Sequence, residues 1–332
     1  MSKIYEALRQ AELDRAKNGV VESEPDQAAE GQDAPDPGPV PVYSGGVRTL
    51  AAVLPVARAA GDKTAPVTPV TAYVADAGLD AAAIDLANIP QIEWTPSISQ
   101  LPALEERGSS VEQFRSLRSR MQEFRDLNAL KSILISSGLP QEGKSFVAAN
   151  LAISFARHKA GRVLLIDGDM RRATLHRLLG CPQGPGLTEY LSGDASIVEI
   201  MQRPSPGESD RPLPHGLASL TFIPAGTEHD KAADLSGNRR FERLIVAAAP
   251  HFDWIVVDSS PVNLVSDGVN LARACDAVLL VARGGVTKFE SAQRALGELK
   301  ASKVLGFVLN AVKNPPVAGG YYGYDGYDKI EE

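Results

Sequence analysis

Apolar runs alternate with amphipathic segments from Lys131 to Val312, and this alternation is the main pattern along the chain. The run from Arg162 to Ile166 and the one that ends at Asp258 have no polar position in their interior. Runs of this kind are typical of parallel strands that are buried on both faces. Further strands are predicted at Ile133–Ile135, Leu220–Gly226, Asp276–Gly285 and in the run that ends at Asn310. The pattern therefore predicts an α/β fold, with a mostly parallel sheet covered by helices on both faces.

Helical spacing of apolar positions separates these predicted strands. The predicted helices are residues 109–127, 145–158, 186–193, 239–249 and 287–302. The stretch from Arg203 to Gly216, which is rich in proline and charge, is predicted to be a surface loop. Together these elements delimit one folded domain over residues 109–315.

The first 108 residues have a different composition. Residues 2–17 show one apolar face at helical spacing, and we interpret residues 1–17 as a docking helix, although a marginal solvated helix explains the pattern as well. Residues 18–108 are dominated by Pro, Ala, Gly and acidic residues, a composition that cannot bury enough apolar surface to offset ordering entropy. They are predicted to be a disordered linker that precedes the domain.

Composition and charge narrow the function classes. The 332 residues carry a net charge of −7, which gives no sign of a nucleic-acid partner. The two cysteines, Cys181 and Cys275, show neither metal-ligand spacing nor a disulfide framework. No apolar stretch approaches the roughly 18 residues that a membrane-spanning helix needs. We therefore expect a cytoplasmic protein that reaches the inner face of the cell membrane only through a partner.

A glycine-rich motif follows the first predicted strand. Gly138, Gly143, Lys144 and Ser145 have the spacing GxxxxGK(S/T), which is the spacing of a phosphate-binding loop. The backbone N–H groups of such a loop and of the helix behind it surround phosphate oxygens. Lys144 supplies a positive charge to the outer phosphates, and the Ser145 hydroxyl is a ligand for Mg²⁺. A glycine-rich turn without nucleotide is the alternative, and the strand–helix setting argues against it.

Carboxylates end two of the predicted strands. Asp167 and Asp169 follow the strand that begins at Arg162, with Arg171 close behind, and Asp258 ends another strand. Ligands bind at the carboxyl edge of parallel sheets, so these residues are expected near the phosphates. An apolar strand that ends in aspartate is the pattern that holds Mg²⁺ in nucleotide hydrolases. A turn with a helix cap at one of Asp167 and Asp169 is the alternative, and the phosphate-binding loop upstream argues for the functional interpretation.

Two further patterns lie outside the sheet. Glu112, Arg115 and Arg118 share one face of the predicted helix 109–127, and by themselves they indicate only an ordinary charged face. In the tail, residues 316–332, four of the eight tyrosines fall among closely spaced glycines, at Tyr321, Tyr322, Tyr324 and Tyr327. The glycines predict a flexible, exposed segment, which favours a phosphate acceptor over a sticky low-complexity end.

Taken together, these motifs resemble the bacterial tyrosine kinases (BY-kinases) that regulate capsule and exopolysaccharide synthesis, a branch of the P-loop MinD/ParA-like superfamily. The resemblance covers residues 109–332 and is carried by the phosphate loop, Asp167-Gly-Asp169-Met-Arg171, Asp258 and the tyrosine cluster. It implies a P-loop NTPase-like sheet and an oligomer contact at Glu112, Arg115 and Arg118. The chain departs from the family at Gln141, where most members have glycine, and at Ser259-Ser260, where a Pro-Pro pair is usual.

The resemblance also implies roles for the site residues. Lys144, Asp167, Asp169 and Asp258 are the expected catalytic residues, with Asp167 accepting the tyrosine proton. Ser145, Asp167 and Asp258 are expected around Mg²⁺. The residues expected to contact ATP are Gly138, Leu139, Pro140, Gln141, Glu142, Gly143, Lys144, Ser145, Phe146, Arg171 and Asn310.

The partners implied by the resemblance are a ring-shaped homo-oligomer, a separate membrane-bound polysaccharide chain-length (co-polymerase) adaptor and a cognate tyrosine phosphatase. The activity implied is transfer of phosphate from ATP to tyrosines of the tail. Two other functions remain open at this point. A MinD/ParA-type positioning ATPase shares the fold, but those proteins carry a lysine where this chain has Leu139. A non-catalytic, nucleotide-dependent regulator of polysaccharide export is the other.

Overall fold

The computed structural model describes residues 84–159, 161–205, 213–227 and 229–312, together with the backbone of a short strand at Val53–Pro55. The strands are β1 (Val53–Pro55), β2 (Gln91–Glu93), β3 (Ser132–Ser137), β4 (Val163–Asp167), β5 (Arg203–Ser205), β6 (Leu220–Ile223), β7 (Trp254–Asp258), β8 (Ala277–Arg283) and β9 (Val304–Asn310). The helices are α1 (Ser109–Leu127), α2 (Lys144–Ala156), α3 (Leu175–Leu179), α4 (Leu187–Ser192), α5 (Ala232–Ser236), α6 (Arg239–Ala248), α7 (Asp267–Ala272) and α8 (Phe289–Glu298).

The main sheet has seven strands in the order β1-β9-β8-β3-β7-β4-β6. Strand β1 is antiparallel to β9, and every other neighbouring pair in this sheet is parallel. The predicted P-loop NTPase-like, mostly parallel sheet is thus confirmed. Each helix and main-sheet strand predicted between residues 109 and 312 is present, with ends that differ by a few residues, whereas α3, α5 and α7 were not predicted.

The core has two apolar layers, one on each face of the sheet. Alternate residues of a strand enter opposite layers, as Ile133 and Leu134 of β3 do. On one face the layer is closed by α1 and α2, where Phe155 stacks on Trp254 with ring centroids 4.3 Å apart. Helix α6 closes the other face through Phe241 and its apolar neighbours. No helix in the described ranges is long and apolar enough to cross a lipid bilayer.

The structure corrects the boundary of the predicted linker, because residues 84–108 belong to the folded domain. The Trp94 and Leu101 side chains are buried in the core. The Thr95 N–H donates to the carbonyl of Gly180 over 3.0 Å, and the Ala103 N–H donates to Asn150 Oδ1 over 3.0 Å. Average composition misled the prediction here, since widely spaced apolar side chains pack through short turns and extended backbone without any regular period.

A second correction concerns the predicted surface loop from Arg203 to Gly216. Its first residues form β5, which pairs in parallel with β2 in a separate two-stranded sheet. A strand of three residues has too few positions to show alternation, so the pairing partner alone determines it. The predicted docking helix (residues 1–17) and the tyrosine tail (residues 316–332) lie outside the described residues.

Replacing Trp94 with alanine tests whether the segment before α1 stabilises the fold. The indole packs edge-on against Phe222 at a centroid distance of 6.1 Å. We expect Trp94→Ala to lower the free energy of unfolding by about 3 kcal/mol, the usual cost of removing a buried aromatic side chain. Urea unfolding measures this, with Leu127→Ala as the control because Leu127 is 82% exposed. Equal stability of the two variants would contradict the corrected boundary.

Candidate active site

The phosphate-loop motif adopts the strand–loop–helix arrangement that its sequence predicts. Strand β3 ends at Ser137 and α2 begins at Lys144, so the loop lies at the carboxyl edge of the sheet. Gly143 has a φ of +95°, and a Cβ atom added to it would lie 1.9 Å from the side-chain nitrogen of Asn310. Only glycine fits this position, because Asn310 Nδ2 donates to the carbonyl of Glu142 over 2.9 Å and holds the loop against the end of β9.

Glu142 braces the loop from within. Its buried carboxylate accepts the N–H of Leu139 at 2.8 Å and the hydroxyl of Thr287. Burial raises the pKa of Glu142 above its ordinary value, although these two hydrogen bonds act in the opposite direction. Thr287 Oγ1 in turn accepts the N–H of Arg283 at 2.7 Å, which couples the loop to the end of β8. Nothing in the local sequence around Thr287 indicates this role, since the contact spans 145 positions.

Three carboxylates surround the Lys144 ammonium group. Lys144 Nζ lies 2.8 Å from Asp169 Oδ2, and both side chains are largely buried. Asp167 and Asp258 end adjacent strands at the same register, because β4 and β7 pair there. Burial lowers the pKa of Lys144, but the charges of Asp258 and Asp169 outweigh it, and the net pKa is raised. The structure therefore brings together the four residues that the sequence singled out as catalytic.

Asp167 is fully buried and already holds backbone donors. One of its oxygens accepts the N–H groups of Thr174 and Leu175, at 3.2 and 3.1 Å, at the start of α3. The other accepts the N–H of Asp169 at 3.3 Å. Burial, with added repulsion from Asp258 and Asp169, raises the pKa of Asp167 well above its ordinary value. Asp167 thus caps a short helix and is also a stronger base than an exposed aspartate.

The Asp258 carboxylate is suited to bind a cation. Within the described ranges, neither carboxylate oxygen has a partner at hydrogen-bonding geometry, and both are buried. Burial and the charge of Asp169 raise the pKa of Asp258 to about 6, while the Lys144 charge and the nearby Ser145 hydroxyl pull it down. No group of three acidic, histidine or cysteine side chains in the described residues forms a complete metal cage. The two Asp258 oxygens without hydrogen-bond partners fit Mg²⁺, which in nucleotide sites takes one or two protein ligands and completes its shell with phosphate and water.

Other predicted residues lie at or away from this cluster. Arg171 Nε donates to Asp267 Oδ2 over 2.6 Å, which anchors the turn behind β4 to the start of α7. Its contact with phosphate stays a prediction.

Glu112, Arg115 and Arg118 lie on α1, where Arg115 pairs with Glu112, and Arg118 Nη1 donates to the Ser154 carbonyl at the far end of α2. These three residues are therefore remote from the loop.

Comparison with known proteins identifies the family. The sequence is 31% identical over 223 residues to the tyrosine-protein kinase YwqD of Bacillus subtilis, which covers 66% of this chain and 89% of YwqD. The chain belongs to the bacterial tyrosine-protein kinase family. No model of a protein family matches it. The resemblance predicted from the motifs is thus confirmed.

Two further comparisons show how far the likeness to bacterial tyrosine kinases extends. The sequence is 31% identical over 223 residues to the tyrosine-protein kinase Wzc of Salmonella typhimurium, which covers 66% of this chain but only 29% of Wzc. The fold superimposes on the kinase domain of the Escherichia coli tyrosine kinase ETK with a TM-score of 0.60 and 28% identity, covering 71% of this chain and 93% of that domain. The likeness is therefore to the kinase domain, and the chain spans less than a third of the length of Wzc.

The loop of this family member carries a strained residue where the resemblance predicted glycine. Gln141 has a φ of +62°, in the left-handed region. We expect Gln141→Gly to raise the free energy of unfolding by about 0.5–1 kcal/mol, since strain of about 1–2 kcal/mol is relieved and greater unfolded-state entropy offsets part of it. Thermal unfolding measures the change. Gln122→Gly, in the middle of α1, is the control and should lose about 1 kcal/mol. If both variants changed the free energy of unfolding in the same direction, the result would contradict backbone strain at Gln141.

Proposed function

We propose that the chain is an ATP-dependent protein-tyrosine autokinase. Its substrates are the tail tyrosines Tyr321, Tyr322, Tyr324 and Tyr327. The observation that carries this proposal is the buried group of Lys144 and three aspartates beside the phosphate loop, in a chain of the tyrosine kinase family. Phosphoryl transfer requires positioning and charge neutralisation more than covalent chemistry, and this group is suited to both.

The residues have separate tasks in the proposed reaction. The N–H groups of residues 141–146 and the Lys144 ammonium hold the phosphates of ATP, and Asn310 keeps the loop in shape from behind. Ser145 and Asp258 would hold Mg²⁺, with Asp167 and Asp169 close by. When bound, this cation neutralises charge on the phosphate oxygens.

Asp167 is the proposed proton acceptor. The tyrosine Oη forms a bond to the γ-phosphorus as the bond to the leaving ADP oxygen breaks, and the Oη proton moves to the Asp167 carboxylate. Its raised pKa makes it a stronger base than an exposed aspartate, which suits it to this task. Asp169 holds Lys144 in position through their 2.8 Å ion pair.

The oligomer and the partners extend the proposal. The glycine-rich sequence predicts a flexible tail, which would reach a neighbouring site more easily than its own, so we propose phosphorylation in trans within a ring that forms through Glu112, Arg115 and Arg118. Each phosphotyrosine adds about −1.5 to −2 charges, and this charge favours opening of the ring. A separate membrane-bound polysaccharide co-polymerase recruits the cytoplasmic kinase to the membrane. A cognate tyrosine phosphatase resets the cycle, which regulates exopolysaccharide or capsule polymerisation and export.

Mass spectrometry of the purified full-length chain tests the kinase assignment. After incubation with Mg-ATP, with and without a co-polymerase fragment, phosphate is expected on Tyr321–Tyr327. The same incubation with Lys144→Ala should leave these peptides unmodified. ATP hydrolysis without any phosphotyrosine, in the presence of the co-polymerase fragment, would contradict the proposal and support a positioning ATPase.

A further inference from the structure

A cavity of about 630 Å³ opens on the α1 side of the domain, remote from the phosphate loop. Its walls are α1, the carboxyl end of α2, residues 103–107 and the turn at Pro214 and His215. Helix α2 separates it from the phosphate loop, because its 13 residues rise about 20 Å from Lys144 at one end to the cavity wall at the other. The cavity is therefore a site separate from the nucleotide site.

The charge of the cavity wall is strongly unbalanced. Four arginines line it, Arg107, Arg115, Arg118 and Arg157, together with the imidazoles of His158 and His215, against one lining carboxylate, Glu106. Arg115 pairs with Glu112 beside the cavity. Arg118 and Arg157 have no ion pair with any described residue, and they donate to the main-chain carbonyls of nearby residues instead.

The arginines also repel one another. Burial lowers the pKa of Arg118, and the charges of Arg115 and Arg157 lower it further. Burial and the charge of Arg115 likewise lower the pKa of Arg157. Holding like charges together in a half-enclosed space costs free energy, and an anion bound among them removes that cost. The cavity is thus organised to receive negative charge.

The arginines of the wall indicate the class of anion. Val111, Phe114 and Leu104 border the same cavity but are almost fully buried, so the polar side chains offer most of the contacts to a ligand. Arginine binds phosphate through two parallel N–H···O bonds, which makes it the preferred partner of such a group. A volume of about 630 Å³ lies within the range of small-ligand pockets, roughly 300–1,000 Å³, and so accommodates a phosphotyrosine side chain with adjoining residues.

We infer that this cavity binds the phosphotyrosine form of the chain's own tail, residues 313–332; this inference rests on the proposed autokinase activity. Charge complementarity selects this occupant. Before any phosphate is added, these residues contain four acidic side chains, Asp325, Asp328, Glu331 and Glu332, against two lysines, Lys313 and Lys329. Its 20 residues can span up to about 65 Å, which is ample to reach from the end of β9 past α2 or across to a second copy.

Occupation of the cavity has a direct consequence for assembly. Arg115 and Arg118 line the cavity and are also the proposed ring contacts. A phosphorylated tail bound there covers them, so the product of the reaction competes with the contact that brings the subunits together. Release of the ring then follows from occupancy of a defined site as well as from general charge repulsion.

Fluorescence anisotropy with synthetic peptides tests the site without relying on kinase activity. A labelled peptide of residues 317–330, with phosphate on its four tyrosines, is titrated into the full-length Lys144→Ala protein, whose own tail stays unmodified. We expect it to bind at least tenfold more tightly than the unphosphorylated peptide. Arg157→Gln and, separately, His215→Gln should weaken binding at least threefold, and Arg157→Lys should restore part of the loss.

Controls separate this site from general charge effects. Arg294→Gln removes one positive charge from the exposed face of α8 and should leave binding unchanged. Circular dichroism melting of each variant shows whether it is folded, and His215→Gln leaves α1 and α2 intact. Inorganic phosphate should displace the peptide only at a concentration at least a hundredfold higher than phosphopeptide requires.

Three outcomes would overturn the inference. They are equal affinity for the phosphorylated and unphosphorylated peptides, full binding to both Arg157→Gln and His215→Gln, and displacement by inorganic phosphate at the concentration that phosphopeptide needs. Because the peptide is phosphorylated by synthesis, each of these outcomes leaves the autokinase assignment intact. Conversely, if the chain shows no autophosphorylation but binds the phosphopeptide, the phosphotyrosine site is supported and the kinase assignment is contradicted.

Discussion

Replacing Lys144 with alanine is expected to abolish tyrosine phosphorylation and to destabilise the domain at the same time. Loss of a preorganised charge at the phosphates lowers the turnover number by about 10²–10³-fold. The ammonium group also neutralises Asp169 at 2.8 Å and lowers the pKa of both Asp167 and Asp258. Its removal leaves three buried carboxylates without a cation, so we expect the free energy of unfolding at pH 8 to fall by about 3 kcal/mol.

The destabilisation of Lys144→Ala should depend on pH. As pH falls through the raised pKa values of Asp167 and Asp258, these two carboxyl groups become protonated and no longer need the ammonium group, so the difference from the parent protein shrinks. Urea unfolding at pH 5 and pH 8, in metal-free buffer, measures both values. Lys300→Ala, which removes an exposed ammonium group beyond α8, should change neither activity nor stability. A loss of stability that is equal at both pH values would show that packing, and not charge, is the role of Lys144.

Replacing Asp258 with asparagine is expected to separate activity from stability. The variant should lose at least 10²-fold in phosphorylation rate, since a neutral amide is a poor ligand for Mg²⁺. In metal-free buffer at pH 8 it should unfold less readily than the parent, because a carboxylate whose ionised form is disfavoured by burial and by the charge of Asp169 is replaced by a neutral group. Lys144→Ala and Asp258→Asn are thus both inactive but shift stability in opposite directions.

The pH dependence of the Asp258→Asn gain follows from the raised pKa. The Asp258 carboxyl has a pKa of about 6 in the folded chain against 3.8 ordinarily, so the folded state binds its proton more tightly. The contribution of this group to stability is therefore lost as pH rises from about 4 to above 6, a change of about 3 kcal/mol. Asparagine does not titrate. The gain in the free energy of unfolding of Asp258→Asn over the parent protein should therefore be largest above pH 6 and absent near pH 4.

Thermal and urea unfolding in the presence of a chelator measure this advantage. Asp194→Asn changes an exposed carboxylate in the same chemical way and should leave stability within about 0.5 kcal/mol at every pH. A stability gain for Asp258→Asn that persists at pH 4 would mean that amide hydrogen bonds, and not removal of the charge, stabilise the variant.

Much of the fold and the site centre were predictable because their signals are local. A strand buried on both faces is apolar along most of its length, so β4, β7 and β8 are visible as apolar runs that continue up to their last residue, and β3 is visible through Ile133–Ile135. Carboxyl ends of parallel strands meet at one edge, which is why Asp167 and Asp258 could be placed together and are found at matching register. The spacing of Gly143, Lys144 and Ser145 likewise determines which backbone groups face phosphate.

The segments that prediction missed lack any local period. Trp94 and Leu101 lie in backbone that is interrupted by prolines. Only their packing in the folded chain, such as that of Trp94 on Phe222, shows that they are core residues. Strand β5 exists because β2 is there to pair with it. In both cases the stabilising contact is with residues distant in sequence, and no window of neighbouring positions contains that information.

The sequence by itself determined the sheet, the phosphate loop and the identity of the charged residues beside it, because periodicity and motif spacing reflect constraints within a few residues of chain. Only the tertiary structure decided the surroundings of these residues. They include the hydrogen bond between Glu142 and Thr287, the Asp258 oxygens without hydrogen-bond partners and the strained backbone of Gln141. It also assembled the cationic cavity from α1, α2 and a distant turn. Burial and Coulomb interactions depend on distance in space, and distance in space is set by the packed fold.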